Sequence, residues 1–239
     1  MEIRNLSNKK LFILNGEMKL MPTVAITGAG SGLGRALALE YAKHHYKVFL
    51  MGRTDEKLQM VRQEIEEIKG QAEVILCDVS QFASVSIAFQ QIGELDVFIN
   101  NAGIGIFGPV DTYTNEDIEH TLNTNVKGTI TTVQYALPLI RESKGRILTI
   151  ISTAGLRGKV NESIYCASKF AVRGFTESLQ QEWKDEDFSI TAVYMGGMNT
   201  PFWNHSTHVE DASHLKGPEI VAEQIYQQDD GRHEIMIDE

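Results

Sequence analysis

From Thr23 onward the apolar residues fall into short unbroken runs, separated by longer stretches in which they recur at helical spacing. The runs Thr23–Thr27, Val48–Met51, Val74–Leu76, Val97–Ile99, Ile147–Ile151, Ile190–Tyr194 and Glu234–Ile237 are too short for helices and predict strands. Between them the spacing predicts helices over Leu33–His45, Glu56–Lys69, Ser80–Ile92, Asn115–Ile140, Glu162–Trp183 and Pro218–Gln228. Ser80 reads as the N-cap of the third, Gly70 closes the second, and Pro138 marks a kink in the fourth or its end. Strands that are apolar at every position suit a parallel sheet covered on both faces, since each face needs its own apolar side chains. The steady strand–helix alternation, without repeat or linker, predicts an α/β, doubly wound parallel sheet of about seven strands with helices on both faces.

The first twenty residues break this pattern. Lys9-Lys10 precede only the four-residue apolar run Leu11–Leu14, shorter than the apolar region of a signal peptide and followed by no small-residue cleavage site. Residues 1–20 are therefore expected to be a peripheral extension, with Met18 and Met21 as alternative start points, and residues 21–239 a single domain.

Composition narrows the partners. The chain has 239 residues, of which 32 are acidic and 22 basic, giving a formal charge of −10 that is ill suited to nucleic acid or to an anionic membrane surface. No apolar run approaches the roughly 18–20 residues needed to span a bilayer. Cys77 and Cys166 are too few for a disulfide framework, which points to a reducing, cytoplasmic setting.

The first candidate site follows the first strand directly. Gly28-Ala-Gly-Ser31-Gly32-Leu33-Gly34 joins a strand to a helix, the context in which glycines let the backbone approach a pyrophosphate held by free N–H groups at the helix N-terminus. At the end of the second strand Gly52-Arg53 stands where such folds present an acid to a ribose hydroxyl. A guanidinium there would pair with a 2′-phosphate, which favours NADP(H) over NAD(H). Asp78, after the third strand, is placed to accept from the adenine amino group; its competing reading is a helix cap.

The second candidate site is Tyr165-Cys-Ala-Ser-Lys169, in the first turns of a predicted helix, where positions i and i+4 share one face. A phenol with pKa near 10 is a poor base at neutral pH, and an adjacent ammonium favours its ionised form. Lowering it toward 7 takes about 4 kcal/mol of differential stabilisation, within reach of one cation beside the positive charge of oxidised nicotinamide.

Together these motifs resemble the short-chain dehydrogenases/reductases. The Tyr165-x-x-x-Lys169 pair, with Ser152 thirteen residues earlier, is similar to the family's catalytic signature. Thr27-Gly28-x-x-x-Gly32-x-Gly34 matches its cofactor turn, Asn100-Asn101-Ala102-Gly103 its adenine-side motif, and Asn125 its helix asparagine. The resemblance runs from Thr23 to about Phe202 and implies a Rossmann fold. It implies that Tyr165 is the acid/base, that Lys169 lowers its pKa and holds the nicotinamide ribose, and that Ser152 orients the substrate oxygen. Asn125 would hold a water linking Lys169 to solvent. It further implies cofactor contacts at Thr27, Gly28, Ser31, Gly32, Leu33, Gly34, Arg53, Asp78 with Val79, Asn100, Ala102, Gly103 and Thr200. The family's Pro-Gly after strand six is replaced here by Met195-Gly196-Gly197-Met198, and Ser31 stands where many NADP-preferring members carry a base. Arg53 is therefore left alone to set cofactor choice.

Substrate walls in such folds lie beyond the carboxyl ends of the strands. Phe107, Leu156, Met195, Met198 and Trp203, with Ile104, Ile106 and Phe202, predict an apolar or amphipathic carbonyl substrate. Arg157 and Lys159 are within reach of a substrate carboxylate. The cluster His205, His208, Glu210, Asp211 and His214 invites a metal reading, but the chemistry needs no metal and none is expected. The resemblance also implies a homodimer or homotetramer packed through Asn115–Ile140 and Glu162–Trp183. A non-catalytic dinucleotide-binding sensor or scaffold is the rival reading, disfavoured because Asn125, Ser152, Tyr165 and Lys169 are all present.

Overall fold

The computed structural model describes residues 11–14, 17–204 and 208–237. Two short strands, β1 (Leu11–Leu14) and β2 (Glu17–Leu20), pair antiparallel as a separate two-stranded sheet. The rest alternates as the sequence predicts: β3 (Thr23–Thr27), α1 (Gly32–Lys43), β4 (Lys47–Gly52), α2 (Asp55–Glu67), β5 (Gln71–Leu76), α3 (Phe82–Phe89) and β6 (Val97–Asn100). Next come α4 (Asn115–Leu122), a π-helical turn (Asn123–Lys127), α5 (Gly128–Ser143), β7 (Arg146–Ile150), α6 (Ser163–Glu182), β8 (Ser189–Tyr194), α7 (Pro218–Gln228) and β9 (Glu234–Met236).

Strands β3 to β9 form a seven-stranded sheet in the order β5-β4-β3-β6-β7-β8-β9, with every pair parallel. The direction of winding reverses between β3 and β6, so the loops leaving those two strands diverge and open a crevice at their carboxyl ends. Both faces are covered, which explains the unbroken apolar runs. Val24 and Ile26 of β3, Val48 and Leu50 of β4, and Val97 and Ile99 of β6 point into a core shared with α1, α2 and α7. The intervening Ala25, Phe49, Met51 and Phe98 point the other way, against α3, α5 and α6.

Two local expectations are corrected. The single helix expected over residues 115–140 is two helices joined by the π turn at Asn123–Lys127, and α5 continues through Pro138 to Ser143. Pro138 lies on the exposed side of α5, where water can satisfy the carbonyl that proline leaves without a donor. Ser80 does not cap α3, which begins at Phe82 with Gln81 in the cap position. Instead the Ser80 N–H and hydroxyl both donate to Asp78 Oδ1, at 3.0 and 2.7 Å, because the short aspartate side chain folds the backbone into a turn of its own.

At the opposite end of the sheet from the crevice, Asp229 is 1% exposed and binds three elements together. Its carboxylate accepts from Arg146 Nε at the start of β7 (2.5 Å) and from the Tyr41 hydroxyl on α1 (2.5 Å). Arg146 also donates to the Tyr46 hydroxyl at 3.1 Å. Removing the carboxylate takes the counter-charge from a largely buried guanidinium and the acceptor from the buried Tyr41 hydroxyl. Asp229→Ala is therefore expected to cost about 3–5 kcal/mol of stability, read as a lower urea midpoint at unchanged slope.

Candidate functional site

The glycine-rich turn runs from the end of β3 into α1. Gly28 has φ +68°, a left-handed backbone that side chains disfavour. A Cβ on Gly34 would lie 2.1 Å from the Gly28 carbonyl oxygen and 2.7 Å from Asn101 Nδ2, so only glycine lets α1 start this close to the turn. No side chain caps the N-terminus of α1 at Ser31, which leaves its first-turn N–H groups directed into the crevice. A cradle of bare backbone at an uncapped helix N-terminus fits a pyrophosphate.

The crevice is a cavity of about 680 Å³ that runs from this turn to Tyr165. Gly28, Ser31, Gly32, Leu33, Gly34, Arg53, Asp78, Val79, Ala102, Gly103 and Thr200 all line it. Thr200 packs over the glycine turn, its Cβ 3.3 Å from the point a Gly32 Cβ would occupy. At the far end the exposed Arg53 is joined by Lys57, four residues on in the first turns of α2. Lys57 was missed from sequence because Arg53 lies before the helix, so no helical spacing joins the two.

Three predicted cofactor or catalytic residues instead lie behind the wall. Thr27 is fully buried, and its hydroxyl accepts the N–H groups of Asn101 (2.9 Å) and Ala102 (3.0 Å), tying β3 to β6. Asn100 turns away from the crevice and donates to the Thr129 carbonyl and the Thr132 hydroxyl, both at 3.0 Å. Its neighbour Asn101 faces the crevice, because successive strand residues point to opposite sides. Both ends of the Asn125 amide are engaged. Its Oδ1 accepts from Ile104 N (2.8 Å), and its Nδ2 donates to the Ile104 carbonyl (2.9 Å) and to Ser168 Oγ (3.0 Å). Asn125 thus clamps the loop after β6.

Ser152, Tyr165 and Lys169 meet at the other end of the cavity. Ser152 follows β7 in a strained left-handed conformation (φ +97°), which turns its hydroxyl toward the phenol of Tyr165. Lys169 lies one helical turn beyond Tyr165, 6% exposed, and donates to the Ile150 carbonyl at 3.0 Å. Its Nζ is 5.8 Å from the centre of the Tyr165 ring. Burial pushes the Lys169 ammonium down to about 8. Burial also holds the Tyr165 phenol well above its ordinary value, opposed by the hydrogen bond from Ser152 and reinforced by Glu162. In the chain by itself desolvation dominates; the expected lowering counts on the positive charge of oxidised nicotinamide beside Lys169.

The substrate end is aromatic. Met195, Met198, Phe202 and Trp203 line the cavity, and Trp203 Nε1 donates to the Met198 carbonyl at 2.9 Å. Phe107 stands behind this wall, edge-on to Tyr165 at 5.5 Å and stacked on Trp203 at 5.4 Å. Leu156 is drawn away into the small core of Ile151, Val172 and Tyr194. Sequence reasoning missed Glu162, which lines the cavity and pairs with His208 at 2.9 Å. Of the flap's metal-like residues, His205 lies outside the described residues. Among the described residues no three His, Cys, Asp or Glu side chains gather as metal ligands.

Residues 22–211 match the family described as short chain dehydrogenase. The chain is 35% identical over 214 residues to a sepiapterin reductase of Chlorobaculum tepidum, covering 84% of this chain and 87% of the relative. The chain belongs to the short-chain dehydrogenases. Among solved members, an alcohol dehydrogenase of Thermococcus sibiricus complexed with 5-hydroxy-NADP superposes with a TM-score of 0.83 at 25% identity, over 91% of this chain and 96% of that one. An actinorhodin polyketide ketoreductase with NADPH gives 0.81 at 26% identity, over 91% and 95%. Other short-chain dehydrogenases of the same fold are complexes with NADP or with NAD. No helix among the described residues is long and apolar enough to cross a membrane.

The buried lysine makes stability depend on pH. Above about 8 the folded chain holds Lys169 neutral, whereas the unfolded chain keeps it protonated to about 10.5, so unfolding takes up a proton between these values. Relative to Lys169→Met, the protein should gain about 2–3 kcal/mol from pH 7 to pH 10, read by urea denaturation across that range.

Proposed function

We propose that this short-chain dehydrogenase is an NADP(H)-dependent oxidoreductase that interconverts a ketone or aldehyde and an alcohol, with Tyr165 as acid/base. The observation that carries the reading is that Ser152, Tyr165 and Lys169 converge at one end of the cavity whose other end is the glycine-rich turn. The dinucleotide would be held by that turn and by Thr200, and it supplies the hydride.

Tyr165 donates its proton to the carbonyl oxygen during reduction and takes it back in the reverse direction. Ser152 donates a second hydrogen bond to the same oxygen, stabilising the charge that develops there. Lys169 holds the nicotinamide ribose and favours the ionised phenol once further positive charge is present. Arg53 and Lys57 together supply the positive rim that a 2′-phosphate requires, which supports NADP(H) over NAD(H).

The wall of Phe202 and Trp203, backed by Phe107, fits a flat, largely apolar carbonyl compound, in keeping with the sepiapterin reductase among its relatives. Ile118 and Leu122 on α4 and Phe170 on α6 leave apolar surface that fits a homodimer or homotetramer. A cytoplasmic setting fits the reduced cysteines Cys77 and Cys166.

Tyr165→Phe is expected to lower kcat for carbonyl reduction by about 10²–10⁴-fold while leaving NADPH binding nearly intact, measured by absorbance at ~340 nm and by titration of NADPH fluorescence. Retained turnover would remove Tyr165 from its role. Arg53→Asp should weaken NADPH by about tenfold or more and NADH far less, since a charge-assisted pair gives way to repulsion. Equal losses would make Arg53 a surface charge only.

A further inference from the structure

Glu162 is the residue immediately before α6, three positions ahead of Tyr165, where a shorter polar side chain would ordinarily cap the helix. It makes no cap hydrogen bond. Its side chain is 8% exposed, and it turns into the cavity, where Oε1 meets His208 Nε2 at 2.9 Å. The ring that meets this carboxylate belongs to an aromatic cluster in the same cavity: His208 stacks on Phe107 (4.8 Å between centroids), and Phe107 in turn contacts Tyr165, Phe202 and Trp203.

A carboxylate among aromatic faces is a poor environment for an anion and a favourable one for a nitrogen that carries N–H groups. The carboxylate accepts the hydrogen bonds, and the ring faces attract the positive edge or charge of the guest. The imidazole of His208 already fills that role from within the chain. Two lysines share this end of the cavity: Lys159 is half-buried and directed to Thr153 Oγ1 at 3.2 Å, and the buried Lys169 is directed to the Ile150 carbonyl.

We propose that Glu162 determines specificity: it selects carbonyl substrates whose far end presents an N–H donor, such as an amine, an amidine or an amino-substituted ring, and rejects those that present a carboxylate. His208 is the internal donor that such a substrate displaces. This rests on the reading of the cavity as a carbonyl-substrate pocket, but the selectivity is a property of binding and needs no turnover.

The test is equilibrium binding of benzylamine, benzyl alcohol and benzoate to the NADP-loaded protein, followed by quenching of Trp203 fluorescence. The wild type should prefer benzylamine to benzoate by about tenfold or more, the equivalent of one charge-assisted hydrogen bond. Glu162→Gln should bring that ratio to within about threefold while leaving benzyl alcohol unchanged, since only the charge is removed. A wild type without the preference, or an equal preference in both proteins, overturns the proposal. His208→Phe keeps the stacked ring, removes the competing N–H, and should tighten benzylamine several-fold; weaker or unchanged binding also overturns it. The same preference should persist in Tyr165→Phe, so a failure of the acid/base assignment would leave this result standing.

Discussion

The site depends on a tie between two strands that lie 74 residues apart in sequence. Where β3 and β6 end, the Thr27 hydroxyl takes both N–H groups offered by Asn101 and Ala102, and Asn101 returns a hydrogen bond to the Thr27 carbonyl at 2.8 Å. A reversal of winding would otherwise leave these backbone groups unpaired at the base of a crevice, and a buried unpaired amide costs about 1–3 kcal/mol. With them paired, the two strand ends stay together while the loops beyond them separate. The gap is then shaped by Gly34, which admits the Asn101 amide to a distance no side chain would allow.

The tyrosine end of the crevice is built on the same logic of support from behind. Asn125 grips both polar groups of the Ile104 backbone, and Ser168, one residue before Lys169, is bound to the same amide. The loop after β6 is thereby held in fixed relation to the first turns of α6. Two features work against stability there: a buried ammonium on Lys169 and a left-handed backbone at Ser152. Strain of that kind amounts to about 1–3 kcal/mol at a non-glycine residue, and packing on both sides of the sheet offsets it.

Most of the fold was legible because its signals are local. Seven unbroken apolar runs marked seven parallel strands, and the glycine turn and the Tyr165–Lys169 spacing lie within single turns of chain. What escaped the sequence depends on direction or on distance. Asn100 and Asn101 are adjacent identical residues, and only the strand's alternation decides which faces the crevice. Ser80 had the chemistry of a cap, but Asp78 competed for its hydrogen bonds two residues away. Glu162 and His208 meet across 46 residues, and no spacing rule joins a helix start to a flap.

The π turn at Asn123–Lys127 bears on how this fold can change over generations. A π turn contains one residue more than the α-helical turn it replaces. Loss of a single residue within it would let α4 and α5 fuse into one regular helix, with the backbone ladder intact. Because the bulge absorbs its extra residue locally, α4 and α5 would keep their facing, and only the residues of the turn itself would be re-aimed. Asn125 lies within that turn, so its grip on Ile104 would not survive the change, although the hydrophobic core beneath would be little disturbed. The fold therefore keeps a short mutational route from a clamped loop at the crevice to a stable protein without that clamp.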